Sequence, residues 1–157
     1  AFLADALHTS PKDIQAELMG GHGDTMVPLP RYTTVAGIPV TELIAKDKLD
    51  AIIQRTKVGG GEIVNLLGTS AWYAPGASVA ALVDSIVNDH KKLYTCCVAL
   101  DGEYGQKDIC LGVPVVVGKN GWEKIVDFGL NDEEKAAFAK SADAVRNMNN
   151  VLSEIKA

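Results

Sequence analysis

Apolar positions along this chain change their period several times, and each change marks an element. Phe2, Leu3, Ala6 and Leu7 fall at helical spacing, and Ile14 to Met19 alternates in the manner of a short strand. From Asp47 to Thr56, Leu49, Ile52 and Ile53 recur at helical spacing, and Ile63, Val64 and Leu67 resume it beyond Gly59-Gly60-Gly61, so the glycine triplet reads as a helix interruption. Val79, Leu82, Val83, Ile86 and Val87 form the clearest stripe, with Pro75 and Ser78 as start signals. Tyr94–Leu100 and Ile109–Val117 predict strands, and Asn120-Gly121 offers a two-residue hairpin turn into Trp122–Phe128, which gives an antiparallel meander. Asn131, with Glu134 three residues on, predicts a capping box. It opens a long C-terminal helix with Phe138, Ala142, Val145, Leu152 and Ile155 on one face.

No repeat, low-complexity tract or linker interrupts this series, so one α+β domain over residues 1–157 is the expected architecture, with antiparallel strands packed against long helices. The chain is 47% hydrophobic and 22% charged, enough apolar residues for one sizeable core. Its net charge of −5, with Lys and Arg scattered, argues against nucleic acid as a partner. No apolar run approaches the roughly 18 residues that span a bilayer, and no basic segment with an apolar core marks a secretory signal, so no membrane partner is expected. Cys96, Cys97 and Cys110 are odd in number and two are adjacent, which speaks against a disulfide framework. They read as small buried apolar residues of a protein in the reducing cytoplasm. Neighbours on a strand face opposite ways, so Cys96 and Cys97 cannot jointly hold a metal.

The candidate chemistry lies in Gly20-Gly21-His22-Gly23-Asp24-Thr25-Met26-Val27-Pro28. Glycines let the backbone turn sharply and approach a ligand, and they flank the side chain whose unperturbed pKa, about 6.5, suits proton transfer at neutral pH. His-Gly-Asp alone equally describes a structural turn. His8, beside Thr9, Ser10 and Pro11, and His90, before Lys91-Lys92, read as helix-end residues. A zinc site needs three or four ligands, and His22 with Asp24 supplies two, so no metal is expected. Ser70, His22 and Asp24 nominally compose a hydrolytic triad, but Gly-x-Ser-x-Gly is absent and residues two apart in a turn seldom face one another.

Gly20 to Pro39 as a whole closely resembles the catalytic-histidine segment of the NAD-dependent malate and lactate dehydrogenases. Gly60–Val64, Ser70–Ser78, Asp101–Gly105 and Leu111–Val115 continue the resemblance in the same order. It covers only the second half of that family, the C-terminal substrate or catalytic domain. A strand–Gly-x-Gly-x-x-Gly–helix unit is missing, and Gly59-Gly60-Gly61 lacks both the spacing and a preceding strand. The chain also opens on Ala1 within a helical pattern, as expected of a fragment whose NAD-binding domain lies elsewhere.

The resemblance implies hydride transfer between the nicotinamide of NAD and the hydroxyl-bearing carbon of a 2-hydroxy acid. His22 matches the family's proton acceptor and donor. The orienting aspartate and the substrate-binding arginine belong to a family segment that ends shortly before Ala1. Asp24 matches a different position. Gly21, Ala71 and Pro75 match positions of the substrate and nicotinamide pocket, Ala71 where lactate enzymes tend to carry threonine. Lactate enzymes usually carry an acidic residue at the position of Gly21 and serine at that of Thr25, whereas Gly21, Thr25, Ala71 and Tyr32–Pro39 resemble the malate branch. The implied substrates are (S)-malate and oxaloacetate, the implied assembly a homodimer or homotetramer, and the isolated chain is expected to be inactive. A reading of another class is a binding or assembly module, because this half of the family contributes broadly to subunit contacts.

Overall fold

The computed structural model describes the backbone of residues 1–154 and the side chains of residues 1–152; Ile155, assigned above to the last helical face, lies outside the described residues. In chain order the elements are α1 (Phe2–Leu7), β1 (Ile14–Gln15), β2 (Leu18–Gly20), β3 (Met26–Pro28), β4 (Thr34–Val35), β5 (Ile38–Pro39), α2 (Val40–Leu43), α3 (Lys46–Leu67), α4 (Tyr73–Val87), β6 (Lys92–Asp101), β7 (Lys107–Gly118), β8 (Gly121–Ile125) and α5 (Asp132–Glu154). The expected α+β architecture holds.

Strand β7 organises the larger sheet. It pairs antiparallel with β6 from Lys92↔Val117 to Leu100↔Ile109, and its other neighbours are β2, at Gly20↔Gly112, and β8, at Val115↔Ile125. Strand alternation puts Ile109, Leu111, Val113, Val115 and Val117 on one face, each at most 3% exposed. Phe138 and Ala142 of α5 pack into that face, joined by Leu82 and Ile86 of α4. Strands β1, β4 and β5 form a small separate sheet, and a second core of Val40, Ile44 and Leu49 lies under α1.

Several details depart from the sequence reading. The alternating run Ile14–Met19 is two strands rather than one, because Ile14 pairs with Val35 while Leu18 pairs with Pro28 in the other sheet. Gly59-Gly60-Gly61 does not interrupt a helix, since α3 runs through it and stops at Gly68 in the left-handed conformation (φ 69°). Each glycine costs such a helix about 1 kcal/mol relative to alanine. Arg55 pairs with Glu62 across the triplet at 2.5 Å, and its guanidinium lies over the Phe2 ring, 4.3 Å from the centroid.

The β7–β8 hairpin turns at Lys119-Asn120, one residue earlier than expected, and Gly121 takes the positive φ of 86° as the first residue of β8. Asp89 fixes this turn by accepting the Lys119 N–H at 2.8 Å. Helix α4 begins at Tyr73, and the Ser78 hydroxyl donates back to the Ala74 carbonyl instead of capping. Its stripe is split: Leu82 and Ile86 reach the core, while Val79, Val83 and Val87 lie on the adjacent face and are more than half exposed. The cysteines are free but are not buried. Cys97 and Cys110 alternate with core residues and so face outward, and Cys96 is half-buried at the core margin.

The capping box forms as expected. The Glu134 N–H donates to Asn131 Oδ1 and the Asn131 N–H to Glu134 Oε2, each at 2.9 Å. Arg31 grips the same carboxylate with two prongs, Nε to Oε1 at 2.9 Å and Nη2 to Oε2 at 2.6 Å, tying the segment after β3 to the start of α5. The Arg31 hydrogen bonds hold the Glu134 carboxyl below its ordinary value. A lowered folded-state value means stability that is complete above the ordinary carboxylate range and lost as pH falls through the lowered one. Glu134→Gln is therefore expected to unfold in urea with a shallower loss of stability between about pH 5 and pH 3 than the unsubstituted chain; parallel losses would show that the pair carries no acid dependence.

The two remaining histidines sit where helices end: His8 caps α1 at φ 52°, and His90, exposed after α4, lies 3.5 Å from Asp84. No described helix is long and apolar enough to cross a membrane.

Candidate functional site

Gly20 and Met26 are paired across β2 and β3, and the chain between them must reverse direction within a few residues. Gly20 does so at φ +82°, a left-handed conformation that any side chain would strain. His22 follows in extended conformation (φ −91°, ψ 151°) and leads into a short 3₁₀ turn, Gly23–Thr25, which closes when the Met26 N–H donates to the Gly23 carbonyl. The imidazole is exposed, and among the described residues it has no hydrogen-bond partner. It is free to meet a ligand.

The backbone that carries it is held from several sides. Gly20 lies so close to β7 that a Cβ on Gly112 would sit 2.7 Å from the Gly20 carbonyl oxygen. A Cβ on Gly21 would collide with Thr25 Oγ1 and stand 3.4 Å from a Val145 methyl of α5. Ser141, only 3% exposed on α5, accepts the Gly21 N–H at 2.8 Å and donates to the Thr25 carbonyl at 2.6 Å. Helix α3 also packs against the turn.

Of the residues singled out in the sequence, His22 and Gly21 are therefore adjacent parts of one clamped turn. Ala71 is half-buried in the segment before α4, and Pro75 is exposed in its first turn. Among the described residues no hydrogen bond joins either of them to His22. Asp24 is exposed and makes no hydrogen bond to the imidazole. Ser141 and Thr25 were missed as supports, although one signal was legible: a serine falls on the apolar face of α5 between Phe138 and Val145. A separate cavity of about 290 Å³ opens between α1, β2 and α3, with Phe2, Leu18, Val40 and Ile53 in its wall. Glu17 is its one ionisable side chain, and burial pushes that carboxyl up, partly offset by the Thr95 hydroxyl 3.3 Å away.

Residues 1–155 match the family model described as the lactate/malate dehydrogenase alpha/beta C-terminal domain. A malate dehydrogenase of Cytophaga hutchinsonii is 62% identical over 152 residues, covering 97% of this chain and 49% of the relative. One from Flavobacterium frigidimaris is 58% identical, covering 98% and 50%. Among solved structures, the malate dehydrogenase of Salinibacter ruber matches with a TM-score of 0.95 at 50% identity, over 98% of this chain and 50% of that one. The lactate dehydrogenase of Eimeria maxima, solved with NADH and oxamate, gives 0.93 at 42% identity, over 98% and 50%. The chain spans about half the length of the relatives it matches. With the match running from Ala1 to Ile155 and the same fold recovered throughout, the chain belongs to the lactate/malate dehydrogenase family and corresponds to its C-terminal α/β domain.

Proposed function

We propose that residues 1–157 are the single substrate-binding, proton-transferring domain of a malate dehydrogenase that interconverts (S)-malate and oxaloacetate, with His22 as proton acceptor and donor. The observation that carries the proposal is the His22 imidazole, exposed and unpartnered on a turn whose backbone is clamped by Ser141 and by glycine packing. Removing hydride from an alcohol carbon leaves a protonated carbonyl unless the hydroxyl proton departs as well. Neutral His22 accepts that proton in malate oxidation, and its imidazolium returns it in oxaloacetate reduction. General acid–base help of this kind is typically worth about 10²- to 10⁴-fold in rate.

NAD is the cofactor that the family implies, and it would supply the hydride acceptor. The described residues do not fit its pyrophosphate, which needs free backbone N–H groups at a helix start after a strand. Gly59-Gly60-Gly61 lies inside α3, where those groups belong to the helix. The dinucleotide site therefore falls to the half of the relatives' length that this chain does not cover, as do the orienting aspartate and the substrate arginine. Gly21, Ala71 and Pro75 remain the candidates for contact with substrate and nicotinamide.

Between the two branches of the family, the resemblance of Gly21 and Thr25 favours malate. Thr25 Oγ1 occupies the space into which a side chain at position 21 would grow, so the two residues are sterically interlocked. Assaying NADH-linked reduction by the full-length protein tests this reading. Oxaloacetate is expected to exceed pyruvate in kcat/KM by at least about 10²-fold, and comparable values would overturn it.

The reading extends to a homodimer or homotetramer. Val64, Leu66, Leu67, Trp72, Tyr73 and Val83 are large apolar residues left exposed on or beside α3 and α4, and exposed apolar surface tends to be covered by association. Light scattering of the same full-length protein should report an oligomer, and a lone monomer across a tenfold concentration range would count against it.

A further inference from the structure

We infer that Ser141 is a positioning residue for the reaction: its hydroxyl sets where the His22 imidazole stands relative to the rest of the domain. The inference rests on His22 being the proton-transfer group. A serine hydroxyl has one proton to give and lone pairs to accept with. Here it uses both, accepting from the Gly21 N–H and donating to the Thr25 carbonyl, so its rotor is fixed in one orientation. The two partners flank His22-Gly23-Asp24 on either side, which makes the hydroxyl a staple across the mouth of the turn.

Among the described residues, the remaining hydrogen bonds of the turn are internal to it: the Thr25 hydroxyl to the His22 carbonyl at 3.4 Å, and the Met26 N–H to the Gly23 carbonyl. The polar tie from turn to helix thus passes through one oxygen. The surrounding sequence is shaped to it. A Cβ at Gly20 would stand 2.5 Å from Ser141 Oγ, and Val145, one helical turn beyond Ser141, closes the space beside Gly21. Phe138, at 2% exposure one turn before it, seats this stretch of α5 on the sheet. Sheet and helices therefore all bear on the turn, and the hydroxyl is its polar tie to α5.

Without that hydroxyl the Gly21 N–H and Thr25 carbonyl lose a buried partner and turn toward water or each other. His22 moves with them. Displacements of about 1 Å at a reacting group cost on the order of 10²-fold in rate, so Ser141→Ala in the full-length enzyme is expected to lower kcat for oxaloacetate reduction by about 10- to 100-fold. NADH affinity should stay unchanged.

Ser85→Ala is the control for mere destabilisation. Ser85 is equally buried, and its hydroxyl donates to the Val117 carbonyl at 2.9 Å, away from the turn. Its removal should cost stability of the same order and leave kcat within about threefold, as for independent sites. The deciding measurement is the double variant with His22→Gln. If Ser141 acts through the imidazole, Ser141→Ala adds less than about threefold to the loss already caused by His22→Gln, whereas a purely structural role multiplies the two losses. Near-normal kcat in Ser141→Ala, equal losses in Ser85→Ala and Ser141→Ala, or multiplicative losses in the double variant would each overturn the inference. A His22→Gln enzyme with near-normal turnover would instead sink the assignment of His22 itself.

Discussion

Replacing His22 with Gln in the full-length enzyme is expected to lower turnover by at least about 10²-fold in both directions while NADH binding stays intact. The imidazole is exposed and makes no hydrogen bond to another described side chain, so the substitution removes chemistry without unsatisfying a polar partner. Thermal stability should therefore change little, which separates this variant from any that merely loosens the turn. The direction of the pH dependence follows from which form each reaction consumes. Malate oxidation needs the neutral ring and should rise with pH; oxaloacetate reduction needs the imidazolium and should fall as pH rises through the same ionisation. Both dependences should vanish in His22→Gln. Asp24→Asn serves as the control, because Asp24 is exposed and makes no hydrogen bond to the imidazole, so it should keep the ionisation even if the turn is weakened. Near-normal turnover in the His22 variant, measured in both directions, would make the histidine structural and the proposed mechanism wrong.

How much of this was legible in the chain depends on the range of the interactions involved. Elements that rest on local signals were readable: the Asn131–Glu134 capping box, the alternation along β7 and the glycines around His22 all act within a few residues of themselves. What failed depended on distant partners. The alternating run Ile14–Met19 is divided because Val35 and Pro28, which pair with its two ends, belong to different sheets. Gly59-Gly60-Gly61 reads as a break when helix propensity is the only consideration, yet α3 continues through it, with the Arg55–Glu62 pair spanning the triplet. Cys97 and Cys110 were assigned to the interior by residue type, whereas their register on the β6–β7 hairpin turns them outward.

The candidate site shows the same division. His22 stands out in the chain because the proposed chemistry would sit in one uninterrupted motif. Ser141 is more than a hundred residues away, and its relation to Gly21 and Thr25 exists only once α5 has packed on β7. Its signature in the chain was a polar residue on an apolar stripe, which is a cue to look for a partner but does not name one. Ala71 and Pro75 have no such geometric support within this chain, so their role rests on the family resemblance alone.

Phe138→Ala is expected to have the largest effect on stability, about 3–5 kcal/mol. The ring is 2% exposed, sits in the core with Leu111 and Val113 of β7, and meets Tyr104 at 5.5 Å between centroids with a 55° tilt. Tyr104 is itself fixed, donating to the Val126 carbonyl at 2.6 Å and accepting the Phe128 N–H at 2.9 Å, so it cannot collapse into the space that the lost ring leaves. The void then remains largely open, and the cost falls toward the upper end of the range for such truncations. Against a typical net stability of about 5–15 kcal/mol, this is a large fraction, and for a chain of this size it corresponds to a fall in Tm of roughly 6–20 °C. Urea unfolding followed by far-ultraviolet circular dichroism measures it directly: the midpoint should drop while the slope stays the same. A loss below about 1 kcal/mol would mean that α5 is not seated on the sheet by this ring. It would also remove the foundation beneath Ser141, because the hydroxyl can staple the His22 turn only if the helix that carries it is held in place.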